Sequence, residues 1–123
     1  MGVATIDDNA RTDWCNSGHA EADVLGLRAK IVEVAGLSEL FKVLGDETRT
    51  RILYLLAHGE LCTCDLAGIL EMSLPAVSHH LRLLRMARLV RFRREGKNVH
   101  YALDDDHVLH IIREAQAHFR EER

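Results

Sequence analysis

The sequence predicts a mainly α-helical fold carrying one β-hairpin, and three observations support that reading. Apolar residues recur at spacings of three and four through most of the chain. Residues 90–103 alternate apolar and polar instead. The 123 residues are 47% hydrophobic but only 5% aromatic and contain a single proline, which suits helices and one compact core rather than two domains.

Residues 1–20 are polar and aperiodic and read as a flexible N-terminal arm, although Trp14, Cys15 and His19 are unusual equipment for a tail. The folded domain is expected over 21–123. From Asp23 to Leu44 the positions Val24, Leu27, Ile31, Val34, Leu37, Phe41 and Leu44 predict one long amphipathic helix. Gly45-Asp46 breaks it, and Asp46 can cap a helix from about Glu47 to Ala57 that turns Ile52, Leu53, Leu55 and Leu56 inward.

Two short helices follow, near Thr63–Leu70 and Ser73–Arg85. Ser73 is a good N-cap, and Pro75 is tolerated in the first turn, where its missing N–H is not needed. In the second helix Val77, Leu81 and Leu84 form one apolar stripe and leave Ser78, His79, Arg82 and Arg85 on other faces. Val90 and Phe92 then alternate with Arg91 and Arg93, Glu95-Gly96-Lys97-Asn98 turns, and Val99, Tyr101 and Leu103 return as a second strand. A last helix, about Asp106–Arg120, should bury Val108, Ile111, Ile112, Ala115 and Phe119.

The formal net charge of −3 taken alone argues against a nucleic-acid partner, but its distribution argues the other way. Between Ser73 and Tyr101, six arginines and Lys97 face a single acid, Glu95, whereas the C-terminal stretch from Asp104 is acidic. A short helix, a tight turn at Glu71-Met72-Ser73 and a second helix with small polar residues early on its exposed face make a helix-turn-helix. Ser73, Ser78, His79 and Arg82 could then reach a major groove, with Arg91, Arg93, Arg94 and Lys97 of the hairpin against the flanking phosphates. The fold class is thus a winged helix-turn-helix.

Two groups of residues have metal-ligand chemistry. Asp105, His107, His118 and Glu121 spell D-x-H-x10-H-x2-E. Eleven residues of helix turn through about 1100°, so His107 and His118 share a face but lie about 16 Å apart along the axis. One helix cannot close both on one ion, whereas two antiparallel helices about a two-fold axis can, giving two symmetric sites per dimer. Two imidazoles and two carboxylates in a tetrahedron suit zinc. His110, on the same helix, reads as an ordinary exposed histidine.

The second group is Cys62 and Cys64 with Cys15 of the arm. Soft thiolates select cadmium, lead, bismuth or arsenite over hard ions. Cysteines at i and i+2 can share one ion only where the helix is just starting, as at Leu61-Cys62-Thr63-Cys64. The pair is also too close for a relaxed disulfide.

The run ELCTCDLAGILEMSLPAVSHHLRLLRMARLVRFRREGKNVHYAL resembles the ArsR/SmtB family of metal-responsive repressors, within its cadmium, lead and zinc sensor branch. The likeness runs from about Leu37 to the C-terminus. It rests on ELCxCDLA at a helix start, SxxxxSHHLxxL in the recognition helix and RxxGKxxxY across the wing. It implies a homodimer on inverted-repeat double-stranded operator DNA, with repression relieved by Zn2+, Cd2+ or Pb2+ and metal-resistance genes derepressed. It also implies that the four α-helical ligands form a zinc site, and that the arm cysteine comes from the other protomer. His19 and Asp65 match ligand or near-ligand positions of the zinc-sensing branch. One arm cysteine stands where the cadmium branch has two, so a three-thiolate site and one completed by His19 both stay open.

Enzyme chemistry is not expected: there is no glycine-rich phosphate loop, nucleophile elbow or HExxH, and the metal candidates leave no open position for water. A thiol-based redox repressor or an arsenite-responsive one on the same scaffold is the alternative. No apolar run is long enough for a membrane span and the N-terminus lacks a secretory layout, so the cytoplasm is the expected location.

Overall fold

The computed structural model describes residues 20–121. They fall into two compact units divided after Ser38. The first contains helix α1 (Glu21–Lys30) and a 3-10 turn (Ile31–Val34). Helix α2 (Leu37–Leu44) runs into the second unit. There follow α3 (Glu47–Leu56), β1 (Leu61–Cys62), α4 (Thr63–Leu70), α5 (Leu74–Met86), β2 (Val90–Glu95), β3 (Asn98–Leu103) and α6 (Asp106–Arg120).

The single helix expected over Asp23–Leu44 is three pieces. The α-helix tightens to 3-10 at Ile31, Ala35 leaves helical geometry at ψ 127°, and Gly36 sits at φ +87°. Apolar periodicity survives such a break because the spacing on either side stays near four. A glycine in the left-handed region is what interrupts the helix.

In the second unit Ile52, Leu53, Leu66, Val77, Leu81 and Leu84 are fully buried, joined by Leu56, Leu89, Val90, Val108 and Ile112. The apolar stripe of α5 is thus the centre of the core, and its opposite face is left to solvent. Leu55, expected inward, is only partly buried. The core accounts for how the helix-turn-helix is held: α4 and α5 pack through Leu66, Val77 and Leu81, so the turn between them has little freedom. That turn places Glu71 at φ 55°, where its N–H meets Gly68 O and Met72 N meets Ala67 O.

Asp46 caps α3 as expected, its Oδ2 accepting from the Arg49 backbone N–H at 3.0 Å. That bond, opposed in part by desolvation and helped by the charges of Arg49 and His80, holds the Asp46 carboxyl below the usual carboxylate range. Its contribution to stability is therefore present above its ordinary pKa and is lost as the pH falls through the lowered one. Asp46→Ala is expected to cost about 1 kcal/mol at neutral pH and less in acid, read from urea unfolding at two pH values.

The hairpin is present with a two-residue loop, Gly96 at φ +62° leading it. A third strand was not foreseen: β1 adds to the outer side of β3, giving the antiparallel order β1-β3-β2 with Leu61 opposite Tyr101 and Cys62 opposite His100. Two residues carry too little periodicity to be read as a strand.

Helix α6 matches its expected bounds but not its expected burial. Val108 and Ile112 are buried, whereas Ile111, Ala115 and Phe119 are exposed, Phe119 at 88%. A single protomer leaves half of the apolar face uncovered.

Candidate nucleic-acid interface and metal centres

The candidate groove-facing surface begins at the cap of α5. Ser73 Oγ accepts from the Ala76 N–H at 3.2 Å, and Pro75 lies in the first turn. With Val77, Leu81 and Leu84 turned inward, Ser78, His79 and Arg82 are exposed. His80, on the inner flank, ties α5 to the start of α3: its Nδ1 meets the Arg49 guanidinium at 3.3 Å and lies 3.8 Å from Asp46 Oδ2.

The register of the hairpin sorts the basic rim into two faces. Arg91 opposes Ala102 and Arg93 opposes His100, whereas Phe92 opposes Tyr101 and Arg94 opposes Val99. On the first face both guanidiniums are engaged by groups of the chain, but only Arg93 meets carboxylates. Arg93 makes a two-pronged pair with Glu60 at 2.6 and 3.2 Å and a further contact to Glu95 at 3.0 Å. These carboxylates raise the Arg93 pKa, and Arg93 in turn lowers that of Glu60. Arg91 donates to the Asp104 carbonyl at 3.0 Å. Arg93, grouped with its neighbours on charge alone, is thus neutralised on site and is the weakest of the phosphate candidates. Among the described residues Arg94 has no acidic partner, and Lys97 is exposed at the hairpin tip. Glu60 was missed by sequence reasoning, because only the long-range pairing of strands reveals that it lies beside Arg93.

The two metal-candidate pairs share one local geometry. Asp105 is the N-cap of α6 and His107 stands two residues on. Cys62 is the N-cap of α4 and Cys64 stands two residues on. An N-cap residue is extended, so its side chain can turn toward that of the second helical residue, which regular helix would keep apart. Asp105 Oδ2 lies 3.6 Å from His107 Nδ1, against about 3.3 Å for an oxygen and a nitrogen on one tetrahedral zinc. Asp105 Oδ1 meanwhile accepts from the Val108 N–H at 3.0 Å, and this bond, with a smaller contribution from His107, lowers the Asp105 pKa.

At the cysteines the cap is reciprocal. Cys62 Sγ accepts from the Asp65 N–H at 3.4 Å, and Asp65 Oδ2 accepts from the Cys62 N–H at 3.2 Å. Asp65, held below its ordinary pKa chiefly by its contacts to Cys62, is engaged as a capping residue. Cys62 and Cys64 are both free thiols, and Cys64 is exposed. Cys15 and His19 lie outside the described residues. Among the described residues no three metal-ligating side chains converge within one protomer. His118 and Glu121 stand at the far end of α6 from Asp105 and His107, as the helix length requires.

This geometry can be set beside known proteins. Residues 46–91 match the family described as bacterial regulatory protein, arsR family. A cadmium resistance transcriptional regulatory protein CadC homolog of Staphylococcus aureus is 48% identical over 86 residues, covering 69% of this chain and 71% of its own. The chain belongs to the ArsR family. A transcriptional repressor SmtB homolog of Synechocystis sp. is 48% identical over 85 residues, covering 69% of this chain and 64% of its own. The fold also matches a homodimeric winged helix-turn-helix DNA-binding domain from Mycobacterium bovis, with TM-score 0.66 and 27% identity over 81% of this chain and 86% of that one.

For an ArsR-family chain the matched span is informative about parts. It runs from the Asp46 cap through Cys62, Cys64 and α5 to Arg91, and so contains the helix-turn-helix and the paired thiols. The wing tip and α6 lie beyond it. Members are transcriptional regulators, and no described helix is long and apolar enough to cross a membrane.

Proposed function

We propose that this protein is a homodimeric transcriptional repressor that holds an inverted-repeat operator in the metal-free state and releases it on binding Zn2+, Cd2+ or Pb2+. The observation that carries the proposal is the placement of Cys62. It caps the first helix of the helix-turn-helix and at the same time ends the strand paired to the wing. A thiophilic cation, when bound, supplies a crosslink between Cys62, Cys64 and Cys15 of the arm, with His19 the other candidate. The name of the cadmium-resistance relative supports a cationic inducer.

The residues around Cys62 provide a way for that crosslink to reach DNA. Cys62 opposes His100 on β3, and Glu60, two residues earlier, grips Arg93 on β2. Any shift of β1 therefore pulls both wing strands, while the reciprocal Cys62–Asp65 cap pulls the start of α4. A second site is proposed across the dimer, with Asp105 and His107 of one protomer and His118 and Glu121 of the other. This one suits zinc and acts on the seam directly. Metal and operator then compete through geometry rather than for the same atoms, so operator must weaken metal binding by the factor that metal weakens operator, typically about 1–3 kcal/mol.

The direct test is titration of Cd2+ and Zn2+ into a complex with a labelled duplex selected by the apo-protein from a random pool. Release at stoichiometric metal supports the proposal, and equal metal affinity with and without the duplex would remove the allosteric reading. On the DNA side, Arg82→Ala and Lys97→Ala should each weaken the complex and reduce the log–log salt slope by about one, with the dimer unchanged in sedimentation. An unchanged slope in both places these residues off the phosphates.

A further inference from the structure

Phe92 has no place in the sequence-based account except as an apolar strand residue. The residue is nonetheless 36% exposed, on the hairpin face that meets Arg85 of α5. Two guanidiniums stand over it: Arg85, from the last turn of α5, at 4.5 Å from the ring centre, and Arg94, from the same strand, at 5.8 Å. Tyr101 opposes Phe92 in register and steadies the ring from the side, centroids 5.9 Å apart. Among the described residues, neither arginine has a carboxylate within ion-pair distance.

We propose that Phe92 is a positioning residue for DNA: it holds Arg85 of the recognition helix and Arg94 of the wing as a preformed pair of phosphate ligands. The inference rests on the operator-binding reading above and adds Arg85 to the contact surface.

The physical argument turns on what stacking leaves available. A guanidinium paired with a carboxylate, as Arg93 is with Glu60, has spent its N–H fork and its charge. A guanidinium laid on an aromatic face is held through its π-surface, so its in-plane N–H donors remain free for a phosphate. The ring also lowers the cost of binding, because a long side chain already restrained loses less rotamer freedom when it meets its ligand. A phosphate reaching both arginines would bridge recognition helix and wing. This accounts for an exposed aromatic ring among charges, which burial alone does not.

The experiment uses the full-length protein and a fluorescein-labelled duplex of arbitrary sequence about 30 base pairs long, since phosphate contacts are sequence-independent. Arg85→Ala is expected to reduce the salt slope by about one. Phe92→Leu keeps an apolar side chain but removes the face, and should weaken binding about three- to fivefold with the slope unchanged. Phe92→Tyr should bind like wild type, which separates the role of the ring from that of the volume. In the Arg85→Ala background the Phe92→Leu effect should shrink, whereas a residue that merely supports the fold would cost the same in either background. Additive effects in that cycle, or an unchanged slope in Arg85→Ala beside a steep wild-type slope, overturn the proposal while leaving the DNA reading intact. A wild type that binds the duplex with no salt dependence overturns both.

Discussion

Cys62→Ser combined with Cys64→Ser is expected to lower cadmium affinity by more than about 100-fold and to leave the protein on its operator when cadmium is added. Even outer partners of metal ligands are worth about 10–100-fold in affinity, and these two are proposed as direct ligands. Serine oxygen is hard and seldom ionised, so it cannot replace a thiolate toward a soft cation. The substitution is also structurally gentle. Position 62 is a helix N-cap in a reciprocal capping box with Asp65, and serine is a better cap than cysteine. The double variant should therefore fold, dimerise and bind operator as wild type does, so a lost response cannot be charged to unfolding. In the wild type, cadmium should produce a sulfur-to-metal charge-transfer band in the ultraviolet that tracks release, and both should vanish together. Band and release surviving in the double variant would move the sensor away from these cysteines.

Capping explains much of what could be read from sequence and what could not. Asp46 and Ser73 announce helix starts through side-chain chemistry that acts within three residues, and both caps form. The stripe Val77, Leu81, Leu84 likewise defines the inner face of α5 and so exposes Ser78, His79 and Arg82 without knowledge of the rest of the fold. The failures are non-local. That Arg93 is neutralised and Arg94 is not depends on β1 bringing Glu60 beside the hairpin, a pairing across more than 30 residues that no window of sequence contains. The break at Gly36 shows a different limit, because apolar spacing cannot report a backbone angle. For the metal candidates, sequence supplied the donor types and the need for a second protomer. It also supplied their spacing of two at a helix start, and the structure adds that Cys62 and Asp105 are themselves the N-cap residues.

The seam of the dimer should be the other sensitive point, and Phe119→Asp is expected to convert the protein to monomers at micromolar concentration and to reduce operator affinity by about 100-fold or more. At about 100° per residue, His107 and His118 stand along one line of α6, Ile111 and Ala115 follow round the helix, and Phe119 lies beyond them near the buried positions Val108 and Ile112. The uncovered apolar strip is thus bordered by the proposed zinc ligands, and a groove lined by Tyr54, Ile112, Ala115 and Phe119 opens beside it. A two-fold partner laid antiparallel on this strip would cover Phe119 and bring each His107 toward the other protomer's His118. Burying one phenylalanine side chain is worth about 1.5–3 kcal/mol, and a two-fold interface counts it twice. Losing both therefore weakens dimerisation by roughly two to four powers of ten, before the cost of desolvating two carboxylates is added. Because Phe119 is 88% exposed in the single chain, the fold of each protomer should keep its circular dichroism. A monomer presents one recognition helix to an inverted repeat and forfeits the second half-site. It also divides Asp105 and His107 from His118 and Glu121, so tight zinc binding should fall together with dimerisation while cadmium binding at Cys62 and Cys64 persists more weakly. Analytical ultracentrifugation and zinc titration of the same variant decide it: a dimer that survives Phe119→Asp would mean the seam lies on another face, and the inter-protomer zinc site would go with it.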